Sequence, residues 1–405
     1  MQTTLTLPIV VVGAGLAGWT TVREFRKLDT TTPVVVVTAD SGDFYAKPTL
    51  SNAYAQKRNP EQLVTTPAAK MAETLQVTLL AHSTVVGLDT AASTATVAHA
   101  DGSTQSLAYR QLVLATGAQA IRIPLQGTGA DQVLSVNSLP DFARFHSALG
   151  ASNMGESNDA GGRKTVLIMG AGLIGCEFAN DLIQGGFQVH VADPAARPLA
   201  ALLPPAASEQ LQHALLTAGV HWHLGETVSR VDHAEGGFVA TLSNGQQLNA
   251  QLVLSAVGLR AETSLAASSG IRCDRGIVVD EQLQTSVAHV YALGDSAQYA
   301  SADHRTLPYV MPIMNAAKAL AATLAGTPTP VVFPLMPVSV KTPALPTVIA
   351  PPPPGLDGHW VAEPVPDGET GGAWRFVDSR GASRGFALTA KQTMRRMEFS
   401  KATLL

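Results

Sequence analysis

Cysteine is nearly absent: Cys176 and Cys273 are the only two in 405 residues. They stand far apart and form neither a disulfide framework nor a metal-ligand pattern, so no metal site is expected and the expected compartment is a reducing cytoplasm. Charge is also sparse, at 14% of residues with a net of −4, and nothing in that total points to a nucleic-acid partner. No apolar run approaches the length a membrane helix needs, so no insertion is expected. The opening "MQTTLTLPIVVVGAG" has no basic n-region and runs straight into a glycine motif, which argues against a signal peptide. What is abundant is apolar residue, 46% of the chain, enough to bury two or three cores.

The chain repeats one device. "VVGAGLAG" (residues 11–18) returns as "IMGAGLIG" (residues 168–175), each after an apolar strand-like run and before a helix-like stretch. Gly13 and Gly170 make the tight turn, and Gly15 and Gly172 let the backbone approach a pyrophosphate. Gly18 and Gly175 let the helix lie close to the strand, and the free N–H groups of the helix N-terminus then face the phosphates. A second strand follows in each copy and ends near an acid, Asp40 in "PVVVVTAD" and Asp193 in "QVHVAD", placed to accept ribose hydroxyls. A further element repeats as "LVLATG" (residues 112–117, with Thr116 and Gly117) and "LVLSAVG" (residues 252–258, ending at Gly258). Two dinucleotide sites in one chain imply hydride passing from one cofactor to another. At the second site Asp193 would bind a free ribose diol and repel a 2′-phosphate, which favours NADH; Arg197 nearby is the reservation.

The motif order, continued by "TSVAHVYALGD" (residues 285–295), resembles the two-dinucleotide-domain flavoproteins of the glutathione-reductase-like superfamily. The resemblance implies an α/β fold of two Rossmann-like dinucleotide-binding domains with a small α+β C-terminal domain. It gives FAD to the first fingerprint and the nicotinamide cofactor to the second. Asp295 of "YALGD" would then hold the ribityl chain of the flavin, with Gly294 letting the backbone approach the flavin. The expected division is a split FAD domain, 1–121 and 251–326, an NADH domain, 122–250, and a C-terminal domain, 327–405. "GASNMGESNDAGGRK" (residues 150–164) reads as a mobile loop and "PPPPG" (residues 351–355) as a stiff extended segment. "HWVAEP", "AWRFVDS" and "RGFALTA" read as short strands, and "KQTMRRMEF" as a terminal helix.

Many flavoproteins with this opening carry two redox cysteines where this chain has "FYAKPTLSN" (residues 44–52). Here there are none, and neither His304 nor His359 sits in a recognisable His–Glu dyad. Cys176 reads as a packing residue and Cys273 as a loop or hairpin residue. Dithiol and single-cysteine chemistry are therefore excluded, leaving a flavin that accepts hydride and releases electrons singly to an outside acceptor. Lys47 would place an ammonium near flavin N5, with Pro48 stiffening the loop and Ser51 capping a short helix. Similar flavoproteins carry a glutamate where Glu177 stands, which implies a Lys47–Glu177 pair.

Further segments are similar to the bacterial rubredoxin–NAD reductases: "YAKPTLS" (residues 45–51), "GAGLIGCEFANDL" (residues 170–182), "YVMPIMNAAKALAATLAG" (residues 309–326) and "MPVSVKTPALP" (residues 336–346). That resemblance implies electron transfer from NADH through FAD to rubredoxin, a small acidic one-iron protein, often in support of alkane hydroxylation. It also directs the N-terminus of a helix from about Pro312 at the flavin pyrimidine. Lys318 stands where similar reductases commonly have arginine. Lys47, Lys318, Lys341, Arg395 and Arg396 are the basic candidates for docking an acidic acceptor. Without the His–Glu pair that requires a dimer, a monomer is expected. The competing readings are a two-iron ferredoxin reductase serving an oxygenase or P450, and a non-enzymatic NADH-sensing flavoprotein.

Overall fold

The computed structural model describes residues 6–150 and 163–404, so most of the expected mobile loop at 150–164 lies outside the described residues. The chain divides into two compact units: 1–47, 64–119 and 259–333 form the first, and 48–63, 120–258 and 334–405 the second.

The first unit is built on a five-stranded parallel sheet in the order Val290–Ala292, Gln111–Leu114, Ile9–Val12, Val34–Val37, Thr78–Leu80. Its inner strands read IVVV, VVVV and QLVL because a parallel strand covered on both faces needs apolar side chains at every position, not alternate ones. Leu16–Arg26 crosses over from Ile9–Val12 and packs against the Val310–Leu324 helix. An antiparallel meander, Ser83–Asp89, Thr94–His99 and Thr104–Ala108, completes the unit.

The second unit repeats the device with four parallel strands in the order Val220–Leu224, Gln188–Asp193, Thr165–Met169, Leu252–Ser255. The Leu173–Gln184 helix follows its central strand and is buried from Gly175 to Leu182. Leu252–Ser255 pairs in parallel with Thr165–Met169, so the boundary expected at Gln251 falls at Leu259. The same unit holds a five-stranded antiparallel sheet, Val338–Val340, Thr347–Ala350, Ser383–Thr389, Ala373–Asp378, Gly358–Glu363. The expected terminal helix begins as a 3-10 turn, Ala390–Arg395, and continues as Arg396–Ala402, with Phe399 fully buried against Phe386. Among the described residues no helix is long and apolar enough to cross a membrane, and no cluster of metal-ligating side chains occurs.

Candidate functional site: two glycine cradles and a polar helix face

In the first unit Gly13 has φ +109°, and a Cβ there would lie 2.2 Å from the Ala115 carbonyl oxygen. Only glycine fits that turn. A Cβ on Gly18 would lie 1.9 Å from the Gly13 oxygen, the measure of how closely helix and turn approach. Gly15 differs, because a Cβ there meets nothing within 4 Å. It is the N-cap of Leu16–Arg26, with no side-chain cap and no acid in the first turn. No side chain caps the N–H groups at that helix end, which are the donors a pyrophosphate would use. Asp40 lies beyond the next strand, where its Oδ1 accepts Thr38 Oγ1–H at 2.7 Å and Gly42 N–H at 3.0 Å. Thr116 donates to the Glu262 carbonyl at 2.8 Å, and Gly117 (φ +73°) also faces open space. At the "YALGD" turn, buried Tyr299 accepts Gly294 N–H at 2.7 Å, fixing the turn that carries Asp295. Lys47 Nζ lies 3.4 Å from Asp295 Oδ2. The helix expected from Pro312 begins at Val310; Lys318 is exposed on it.

The second unit reproduces the cradle. Gly170 has φ +107° with the Ala256 oxygen 2.7 Å from a built Cβ, and a Cβ on Gly175 would lie 1.9 Å from the Gly170 oxygen. Gly172 is again the uncapped N-cap, open within 4 Å and without a first-turn acid. Asp193 ends Gln188–Asp193 and accepts Ala171 N–H at 2.6 Å and Ala195 N–H at 2.7 Å. About two of a carboxylate's four acceptor positions are thereby used, one of them to tie the strand end to the glycine turn. Gly258 has φ +121° and approaches Ile121. Arg197 Nε is buried without a hydrogen-bond partner. Cys176 is fully buried with Sγ 3.4 Å from the Ala171 oxygen, and burial pushes its thiol far up from the ordinary value. It is a packing residue, not a thiolate.

The Leu173–Gln184 helix also presents Glu177, Asn180 and Asp181, all buried and, at i, i+3 and i+4, on one face. Glu177 Oε1 accepts the Lys341 backbone N–H at 3.1 Å; Oε2 accepts Ser51 Oγ–H at 2.8 Å and a short bond from Lys341 Nζ. Asn180 Oδ1 accepts Ala344 N–H at 3.0 Å. Asp181 accepts Tyr54 N–H at 3.1 Å and Ala55 N–H at 2.7 Å. The Tyr54 ring is boxed by Phe142, Phe145, His146 and Phe187.

These contacts revise the sequence reading. Lys341, expected as a docking charge, is bound to Glu177 and Ser51, and Ser51 spends its hydroxyl there instead of on a helix cap. Arg395 is held by Glu398 at 2.8 and 2.9 Å, while Arg396 remains exposed. Asn180, Asp181 and Tyr54 were missed. Three polar residues on one face of the largely apolar "LIGCEFANDLIQ" were the available signal, since buried polar groups require partners.

Both glycine cradles fit an adenine dinucleotide, and comparison with known proteins agrees. A family model described as pyridine nucleotide-disulphide oxidoreductase matches residues 7–321, and one described as rubredoxin binding C-terminal domain matches residues 330–403. A rubredoxin-NAD(+) reductase of Alcanivorax borkumensis is 43% identical over 395 residues, covering 97% of this chain and 98% of the relative. Another, of Acinetobacter baylyi, is 41% identical over 383 residues, covering 94% and 93%. A chain from the crystal structure of the covalent putidaredoxin reductase-putidaredoxin complex superposes with a TM-score of 0.84 at 22% identity, covering 98% of this chain and 93% of that one. That likeness concerns the fold alone. The chain belongs to the pyridine nucleotide-disulphide oxidoreductase family, as an FAD-dependent enzyme that uses NADH and carries a C-terminal module of the rubredoxin-binding type.

Proposed function

We propose that this chain transfers electrons from NADH through FAD to rubredoxin, as a cytoplasmic monomer supporting alkane hydroxylation. The observation that carries the acceptor is the match of residues 330–403 to the rubredoxin-binding module, in a chain whose two cysteines, Cys176 and Cys273, are both free and form no redox pair to take electrons internally. The balance is one NADH and two ferric rubredoxins giving NAD⁺, a proton and two ferrous rubredoxins. FAD, when bound, supplies the conversion of a two-electron donor into single-electron steps.

The residues divide the remaining work. Gly13, Gly15, Gly18, Asp40, Thr116, Gly117, Gly294 and Asp295 hold FAD, all within the unit of residues 1–47, 64–119 and 259–333. Gly170, Gly172, Gly175, Asp193 and Gly258 hold NADH. Each uncapped helix end offers N–H donors to a pyrophosphate and a positive field end to its charge. Asp295, beside Lys47, accepts from ribityl hydroxyls and keeps the ammonium oriented. Lys47, with Pro48 stiffening its segment, steadies negative charge on the reduced cofactor, and Lys318 extends the positive field. Lys47→Ala is expected to retain FAD while its reduction by NADH slows on the order of 100-fold, the scale for losing one charge-stabilising donor. An unchanged rate in stopped-flow reduction would remove Lys47 from the mechanism.

The test of the acceptor is anaerobic NADH-dependent reduction of purified rubredoxin beside a two-iron ferredoxin. Fast rubredoxin and slow ferredoxin reduction is expected; the reverse preference would make this a ferredoxin reductase. Because rubredoxin is acidic, its reduction should slow steeply as salt rises, since screening shortens to about 8 Å at physiological ionic strength. NADH oxidation by a small neutral dye should not follow that curve, and parallel salt curves would count against charge-guided docking.

A further inference from the structure

We propose that Lys341 is a positioning residue for the NADH half-reaction. It fixes the Glu177 carboxylate on the helix that follows the second fingerprint, and so holds the backbone of two distant segments against that helix. The proposal rests on assigning the second fingerprint to NADH.

Glu177 is two residues past Gly175 and within the first turns of Leu173–Gln184. Its side chain is 7% exposed, and it accepts three donors, of which Lys341 supplies two, one from its backbone and one from its ammonium. Ser51 closes the triangle, accepting from Lys341 Nζ at 2.8 Å while donating to Glu177 at 2.8 Å. A buried carboxylate is tolerated only when paired and hydrogen-bonded, and here Lys341 supplies the charge. The same helix face continues the clamp through Asn180 to Ala344 N–H and Asp181 to Tyr54 and Ala55 N–H. Segments 51–55 and 341–344 are thereby seated on one helical stripe, with the Lys341 ammonium bonded to it at Glu177. The end of the helix that would face the NADH pyrophosphate lies one turn away. A shift of the helix there misaligns the nicotinamide without touching the glycines.

The competing role for Lys341 is that of an exposed charge for an acidic acceptor, and the two roles separate cleanly in the laboratory. The holoenzymes of Lys341→Met, Lys341→Arg and the parent would be reduced anaerobically with NADH in a stopped-flow spectrometer. Amide hydrogen exchange and the salt dependence of rubredoxin reduction would be followed on the same samples. Lys341→Met is expected to keep FAD and to lose about 10- to 100-fold in limiting reduction rate, the scale of a misplacement near 1 Å. Its apparent NADH affinity should change far less. Amides 51–55 and 341–344 should exchange faster, Lys341→Arg should recover most of the rate, and the salt slope should stay that of the parent. Reduction at the parental rate would overturn the proposal, as would a loss confined to the rubredoxin step with a flattened salt slope. If Lys341→Met loses FAD, Ser51→Ala decides: slowed reduction supports the clamp and parental reduction overturns it. Failure of rubredoxin as acceptor would leave the NADH half-reaction readable, so the two claims fail separately.

Discussion

Gly15→Val is expected to give a folded protein that purifies without its flavin, while Gly172→Val keeps the flavin and is no longer reduced by NADH. Both glycines have extended backbone, φ −74° with ψ −169° and φ −75° with ψ −172°, conformations that valine adopts without strain. At both, an added Cβ would meet nothing within 4 Å, so the side chain grows into open space, where a bound dinucleotide is the expected obstacle. Overpacking of this kind costs about 1–3 kcal/mol, up to roughly a 100-fold loss of affinity at the upper end. Gly13→Ala makes the contrasting control. Its φ of +109° and the carbonyl 2.2 Å from the added carbon should cost stability before any cofactor is added. The readouts are flavin absorbance per mole of protein, circular dichroism, and anaerobic reduction by NADH. Exchanged phenotypes would reverse the assignment of the two cradles. Retention of both FAD binding and NADH reduction by both variants would remove the fingerprints as dinucleotide sites.

The cradles were legible because local sterics dictate them. A turn with φ near +108° needs glycine, a helix lying under 2 Å from a turn oxygen to a built Cβ needs glycine, and both needs recur in the two copies. The parallel strands were legible for a similar reason, since complete burial leaves unbroken valine runs. The partners of the Leu173–Gln184 helix were not. Periodicity places Glu177, Asn180 and Asp181 on one face, but Ser51 and Lys341 return to it from segments 126 and 164 residues away in sequence, and a single chain gives no sign of which segment returns. Asp193 was half legible. Its position at a strand end marked it as an acceptor, yet its grip on Ala171 N–H, across the glycine turn, depends on how strand and loop pack. The helix expected from about Pro312 starts two residues earlier at Val310, since proline is tolerated in a first helical turn and marks that turn, not its first residue.

Asp181→Ala is expected to destabilise the protein by about 1–3 kcal/mol, because it leaves the buried Tyr54 N–H with no acceptor, and by somewhat more for the part-buried Ala55 N–H. Asp181→Asn is the more informative variant, since it keeps one acceptor and removes the titration. Burial pushes the Asp181 carboxyl up to about 6, outweighing the opposing effect of its backbone donors and of Lys341. An unfolded aspartate titrates near 3.9. Between those values the folded chain holds a proton that the unfolded chain has released, so stability falls as pH rises through the window, and the penalty is complete above it. On acidification from pH 7 the parent should therefore gain on Asp181→Asn by about 1 kcal/mol at pH 5 and about 2 kcal/mol at pH 4. Urea unfolding of the two proteins across that range measures the difference, in which all other titrating groups cancel. Parallel stability curves would mean that the two N–H bonds keep Asp181 ionised throughout and that burial does not govern it. The expected divergence would mean that the segment carrying Ser51 is held most firmly when Asp181 is protonated. At neutral pH the Glu177 side of the stripe, with its lysine, then becomes the stronger of the two anchors.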